Sequence, residues 1–81
     1  MTTKHLLTYG QHSIFCSIRR PERGDLLGGM HVVHRETGRL VHWTPMGPMR
    51  GLPRRLILIW AIELGLDRIH RLRHDETTVS T

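Results

Sequence analysis

The sequence has one cysteine and no long apolar run, and each of these two shortages excludes a class of protein. A single cysteine, Cys16, excludes an internal disulfide bond and a zinc site built from several cysteines. Its place between Phe15 and Ser17, in an alternating run, is typical of a small core residue. The longest apolar run, residues 56–62, is far shorter than the ~20 residues of a membrane span. We therefore expect a cytoplasmic protein in a reducing environment.

Lysine and asparagine are nearly missing, whereas arginine is abundant. Eleven of the twelve lysine and arginine residues are arginine, and asparagine is absent. Because lysine, asparagine, tyrosine and phenylalanine have AT-rich codons, their scarcity indicates a GC-rich coding sequence, which explains most of the arginine excess. Arginine also binds phosphate and carboxylate groups through paired hydrogen bonds. The net charge of +5 therefore favours acidic or phosphate-bearing partners, and placement decides which arginines contact them.

The first half of the chain is typical of an antiparallel sheet. His12–Arg20 alternates between apolar and polar positions, and His5–Tyr9 is a shorter run of the same kind. Met30–Arg35 and Arg39–Thr44 are two further strand-like runs, joined by a short turn in which Gly38 takes a positive φ. The prediction is a three- or four-stranded antiparallel meander.

The register predicted for the last hairpin makes one of its faces largely apolar. With a three-residue loop, Val33 faces Val41 and His31 faces Trp43. After this hairpin, residues 45–51 contain two prolines and two glycines and predict a loop.

The second half of the chain predicts a helix. Pro53 suits the first helical position, and we expect the helix to run to Leu64 with Gly65 just past its end. Residues 67–74 form either a second, shorter helix or a continuation with a kink. The fold class predicted for this single domain, residues 1–81, is therefore α+β, with the C-terminal helix (one kinked helix or two) packed on one face of the meander. The polar tail, residues 75–81, is expected to fray.

The predicted helix is apolar on nearly all sides. Four residues share the face expected to pack on the sheet: Ile57, Trp60, Ala61 and Leu64. Leu56, Ile59 and Ile62 lie on the other side, around Glu63. Because a domain this small has no second layer to cover them, we predict an apolar interface with a target protein or with a second copy. The alternative is that the N-terminal segment or the last turn covers them.

Two groups of arginines flank the apolar part of the helix. Arg54 and Arg55 lie in the first turn, with Arg50 just upstream, although helix N-termini are electropositive and favour anions. The second group is Arg68, Arg71 and Arg73, near the other end. We predict that these six arginines bind acidic or phosphate groups of a protein or nucleoprotein partner, or nucleic acid directly.

The histidines do not predict a metal site, although there are seven of them. His31 and His34 point to opposite faces of a strand, and the helical pair His70 and His74 lacks a third ligand. No cofactor is predicted either.

The centre of the helix also resembles a helix-turn-helix motif. The pattern Ala61-x-x-x-Gly65-Leu66 carries the resemblance, whereas Arg71 stands where that motif usually has a core apolar residue. The resemblance and the basic groups make a small DNA- or RNA-binding regulator the first alternative function.

The segment Gly10–Phe15 resembles the strand motif of HicA-type toxins, which are small basic ribonucleases with a catalytic histidine. The loop and helix of Pro45–Leu66 are also broadly similar to the closing segment of those toxins. The family opens with a helix before the strand, which the residues before Gly10 do not supply. The resemblance implies a ribonuclease with His12 as its catalytic residue, and no acid–base partner for it is assignable from the sequence. This is the second alternative.

The preferred hypothesis is a non-enzymatic binding protein that occludes a surface of a protein or nucleoprotein partner. Its size, basic charge and apolar surface are similar in character to those of phage and mobile-element inhibitors, including inhibitors of CRISPR complexes.

Overall fold

The computed structural model describes residues 2–20, 22–23, 27–48 and 51–79, which form four strands followed by one helix. The elements are β1 (Thr2–Tyr9), β2 (His12–Arg19), β3 (Leu27–His34), β4 (Leu40–Pro48) and α1 (Arg54–Val79). The strands pair antiparallel in the order β1-β2-β3-β4, and α1 packs on one face of this sheet. The predicted α+β fold is confirmed, with four strands.

The core lies between one face of the sheet and one stripe of α1. Ile14 pairs with Val32 and Cys16 with Met30 across β2 and β3, and all four side chains are buried. The buried stripe of α1 has a spacing of four residues: Ile57, Ala61, Gly65 and Ile69. Residues with this spacing lie one above another on a helix. Cys16 is therefore a core residue, as the sequence predicts.

Gly65 lies where the helix comes closest to the sheet. The sequence predicts a helix end here, but α1 continues to Val79 and Gly65 does not take a positive φ. A Cβ on Gly65 would lie 2.6, 2.7 and 2.8 Å from three carbons of Ile14. Glycine is thus needed for close packing, and the prediction of a helix end was wrong. One continuous helix also contains residues 67–74, which excludes the helix-turn-helix.

The last strand is longer than predicted and includes prolines that the sequence assigns to a loop. Pro45 pairs with Gly29 and Pro48 with Leu27. Because β4 is at the edge of the sheet, a missing proline N–H need not remove a ladder hydrogen bond. Met46 is the extra residue of a bulge, and its side chain is buried in the core. The loop prediction was therefore wrong as far as Pro48.

The hairpin of β3 and β4 has part of the predicted register. His31 pairs with Trp43, as predicted. A bulge near the turn shifts the next pair, so that Val33 faces Leu40 rather than Val41. The prediction failed there because a bulge opposes two residues of one strand to one of the other.

The ends of α1 also differ from the prediction. Pro53 precedes the helix, and its carbonyl accepts hydrogen bonds from the N–H groups of Leu56 and Ile57, at 3.0 and 3.3 Å. Pro53 is therefore at the cap rather than at the first helical position. The helix continues to Val79, so most of the predicted tail, residues 75–81, has a helical backbone. Its fraying stays a prediction, and the last two residues lie outside the described part of the chain.

Gly65→Ala should destabilise the protein although alanine is the better helix former. The propensity gain is about 1 kcal/mol, whereas overpacking a buried contact costs about 1–3 kcal/mol. We expect a net loss of up to about 2 kcal/mol in the free energy of unfolding, measured by urea denaturation. Ile14→Val removes a methyl group from the overlap and should reduce this loss in the double variant. Strictly additive effects of the two substitutions would show that this contact does not limit the packing.

Candidate functional site

The first half of α1 exposes large apolar side chains on the side away from the sheet. Leu56, Ile59 and Trp60 are 43%, 51% and 39% exposed. Their spacing places them on one face of the helix, which we call the outer helix patch. The exposed Glu63 follows one turn later and ends the apolar surface. An apolar helix face that nothing in the described chain covers is typical of an interaction site.

The outer helix patch differs in one residue from the predicted interface. Leu56 and Ile59 belong to it, whereas Ile62 is partly buried. Trp60 is exposed, so the prediction that it packs on the sheet was wrong. The buried residues keep a strict spacing of four, and this turns the packed side of α1 away from Trp60.

Arg54 and Arg55 are exposed in the first turn of α1, where no acidic side chain lies. Arg55 precedes Ile59 by one turn and therefore flanks the outer helix patch. Arg54 lies closer to the core. Burial raises the pKa of the Cys16 thiol, and the positive charge of Arg54 offsets part of that rise. The upstream Arg50, predicted to join these arginines, lies outside the described residues.

The second basic group does not form one surface. Arg71 forms an exposed ion pair with Asp67, with 3.1 Å between Nε and Oδ2, and such pairs contribute little stability. Arg68 is partly buried, and its Nε has no hydrogen-bond partner among the described residues. The guanidinium carbon of Arg73 lies 5.5 Å from the centre of the Tyr9 ring. About 20 Å of helix separates this group from the first-turn arginines, so they cannot share one small ligand.

Two histidines come together at the end of the sheet, beside the second half of α1. His12 and His34 pair across β2 and β3, with 5.9 Å between their ring centres. They line a cleft of about 360 Å³ together with Tyr9 and Arg73. The sequence assigns His12 no acid–base partner, but the fold places His34 beside it. The Nδ1 atom of His34 is buried without a hydrogen-bond partner in the described chain.

The face of the sheet opposite α1, which we call the open sheet face, carries a row of rings. The members occupy matching positions on four neighbouring strands: His5, Phe15, His31 and Trp43. The ring centres of His5 and Phe15 are 5.1 Å apart, and those of His31 and Trp43 are 6.3 Å apart. Sequence reasoning found only the His31–Trp43 pair, because the complete row requires the register of all four strands.

Trp43 lies against the sheet over Gly29. A Cβ on Gly29 would be 2.7 Å from Nε1 of the indole, so glycine leaves the space that the ring occupies. The Trp43 side chain is nevertheless 50% exposed. Beside it, a cavity of about 360 Å³ is lined by Ser17, Arg19 and His31, among others.

A chain of polar contacts fixes His31 next to this cavity. The hydroxyl oxygen of Ser17 lies 3.0 Å from Nε2 of His31 and 2.9 Å from the hydroxyl oxygen of Thr3. Burial lowers the pKa of His31 below its ordinary value of about 6.5. The imidazole is therefore mainly neutral at neutral pH.

The described residues do not assemble a metal centre. No three histidine, cysteine, aspartate or glutamate side chains among them come together. His31 and His34 lie on opposite faces of β3, as predicted. His70 and His74 line a groove with Arg68 and Arg71, whose positive charges oppose a metal cation.

Comparisons with protein families, curated proteins and solved structures found no match. Among the described helices, none is long and apolar enough to cross a membrane. The surfaces described above are therefore the basis for a proposed function.

The pKa of His42 reports how the second half of α1 lies on the sheet, because His42 is on β4 and Arg68 is on α1. Burial, and secondly the charge of Arg68, lower the pKa of His42. Because the unfolded chain then binds the proton more tightly, this histidine should make the protein less stable as the pH falls below about 6.5. Arg68→Gln should raise the pKa of His42 only part of the way towards its ordinary value, because the lowering by burial remains. An NMR titration measures this, with Arg71→Gln as the control. An unchanged pKa in Arg68→Gln would contradict the arrangement.

Proposed function

We propose that this protein is a non-enzymatic binding protein that occludes a surface of a protein or nucleoprotein partner. The outer helix patch is the observation that carries the proposal. Its three large apolar side chains are turned to solvent on one face, while the opposite stripe of the same helix fills the core. Covering them on a partner removes apolar surface from water, which contributes roughly 25 cal/mol per Å² before the losses of association.

Charge favours an acidic partner. Arg54 and Arg55 add positive charge at the electropositive end of α1, with no acidic residue in the first turn. An acidic partner offsets this charge. A second copy of the chain is the competing occupant, but a homodimer would bring two net charges of +5 together, which opposes it. Nucleoprotein complexes, such as the CRISPR complexes that phage and mobile-element inhibitors block, are partners with the required acidity.

Ile59→Glu should abolish partner binding and leave the fold intact, because Ile59 is half exposed and not part of the core. Leu40→Glu is the matched control, since Leu40 is equally apolar, 55% exposed and placed on the sheet. Both variants and the unmodified protein serve as baits in a nuclease-treated bacterial lysate. The affinity of the captured partner is then measured after purification.

Two results would contradict this assignment. Equal retention of the partner by Ile59→Glu would remove the outer helix patch from the interface. A free dimer that sedimentation shows to dissociate in Ile59→Glu would assign the patch to a second copy.

Replacing both Arg54 and Arg55 by glutamate should abolish partner binding and raise stability. Acidic residues suit the first helical turn and contribute about 0.3–1 kcal/mol each. Thermal unfolding measures the stability, and calorimetric titration with the partner measures the affinity. The control is Arg35→Glu, at the exposed hairpin tip. If the double variant still binds the partner, the first-turn arginines face solvent and do not contact the partner.

A second candidate function is a metal-independent ribonuclease at the His12–His34 cleft. The pairing of the two imidazoles favours it, together with the resemblance of Gly10–Phe15 to HicA-type toxins. One imidazole would accept the proton of an RNA 2′-hydroxyl, and the other would donate a proton to the leaving 5′-oxygen. RNA cleavage in a metal chelator should then fall at least about 100-fold in His12→Ala and in His34→Ala, but not in His74→Ala. An uncleaved RNA substrate excludes this candidate.

A further inference from the structure

We propose that the open sheet face binds single-stranded nucleic acid, with an unpaired base stacked on Trp43 and a phosphate contacted by Arg19. This face lies on the other side of the molecule from the outer helix patch. The proposal therefore goes beyond the function proposed above and does not depend on it.

Trp43 has the properties of a stacking platform. Gly29 lets the indole lie against the sheet, so the ring is held in place while half of the side chain stays exposed. His31, on the neighbouring strand, adds a second ring that is mainly neutral at neutral pH. Bases stack on such rings with little dependence on sequence, because every base presents a π-face.

The cavity beside Trp43 has the size and the chemistry for one nucleotide. Its volume of about 360 Å³ is within the range of small-ligand pockets. Leu27 and Pro45 provide apolar walls, and the hydroxyl of Ser17 provides a polar group. The exposed guanidinium of Arg19 lies at the end of β2 and can bind a phosphate through two hydrogen bonds.

Charge favours a polyanion over a second copy of the chain. The four strands contain no aspartate or glutamate, and the cation Arg19 lies on the same face of β2 as Phe15 and Ser17. Face-to-face pairing of two chains would bring like charges together. It would also bury the polar contacts that join Thr3, Ser17 and His31.

The direct test is fluorescence anisotropy of a labelled oligothymidylate of about ten nucleotides at low salt. Trp43→Ala should weaken binding about tenfold or more, whereas Trp43→Phe keeps a ring and should stay within a few-fold of the unmodified protein. Gly29→Ala displaces the indole without removing it and should weaken binding like Trp43→Ala. Circular dichroism confirms that each variant is folded.

A salt titration tests the phosphate contact, and a comparison of ligands tests the requirement for unpaired bases. Arg19→Ala should weaken binding and reduce the slope of log affinity against log salt by about 0.7. Arg35→Ala makes the same change of charge at the hairpin tip and should leave that slope unchanged. Thymidine monophosphate should bind more weakly than the strand, since it lacks the neighbouring phosphates. A duplex of the same length should bind at least about tenfold more weakly, because its bases are already stacked.

Three results would overturn the proposal. They are equal affinity for duplex and single strand, unchanged affinity in a folded Trp43→Ala variant, and no binding of the oligonucleotide at low salt. A free dimer that dissociates in Trp43→Ala would assign the open sheet face to a second copy.

Discussion

The structure depends on the close contact between Gly65 of α1 and Ile14 of β2. Without a Cβ, the helix backbone approaches the sheet closely enough for Ile14 to fill the space beside it. The contact fixes which side of α1 faces inward, and Ile57, Ala61 and Ile69 follow on the same stripe. Leu58, Leu64 and Leu66 pack partly against this core, whereas the outer helix patch is turned to solvent.

Among the described residues, one helix covers one face of the four-stranded sheet and no element covers the other face. The described residues supply no third layer, and a small domain buries only about 60% of the surface of its unfolded chain. The exposed rings and the exposed apolar helix residues are therefore consequences of chain length and packing together. A small protein can keep such side chains in solvent when it binds macromolecules through them. We propose a different kind of ligand for each surface: an acidic partner with apolar surface for the outer helix patch, and a single-stranded nucleic acid for the open sheet face.

Much of the fold could be predicted from local pattern, and the errors have specific physical causes. Alternation identified β2 and β3, and Pro53 marked the start of α1 to within one residue. The proline-rich end of β4 was missed because proline is compatible with an edge strand, and edge position is a property of the whole sheet. Gly65 was misassigned because a helix cap and a close helix–sheet contact both require glycine.

The candidate site was less predictable than the fold. The basic and apolar residues of the helix could be found from their spacing in the sequence. The side of the helix on which each one lies could not. Trp60 was assigned to the wrong side because the packed stripe repeats every four residues rather than at the ideal helical period. The row of rings and the His12–His34 pair join residues that are distant in sequence. They become visible only when the strand register is known.

The proposed function requires above all that the outer face of α1 is free in the isolated protein and covered in its complex. Hydroxyl-radical footprinting with mass spectrometry measures this directly. In the free monomer, Leu56, Ile59 and Trp60 should be oxidised readily, and Ile57 should be protected. After partner binding the three exposed residues should become protected. Protection of all three in the free monomer, or unchanged oxidation in the complex, would contradict the account.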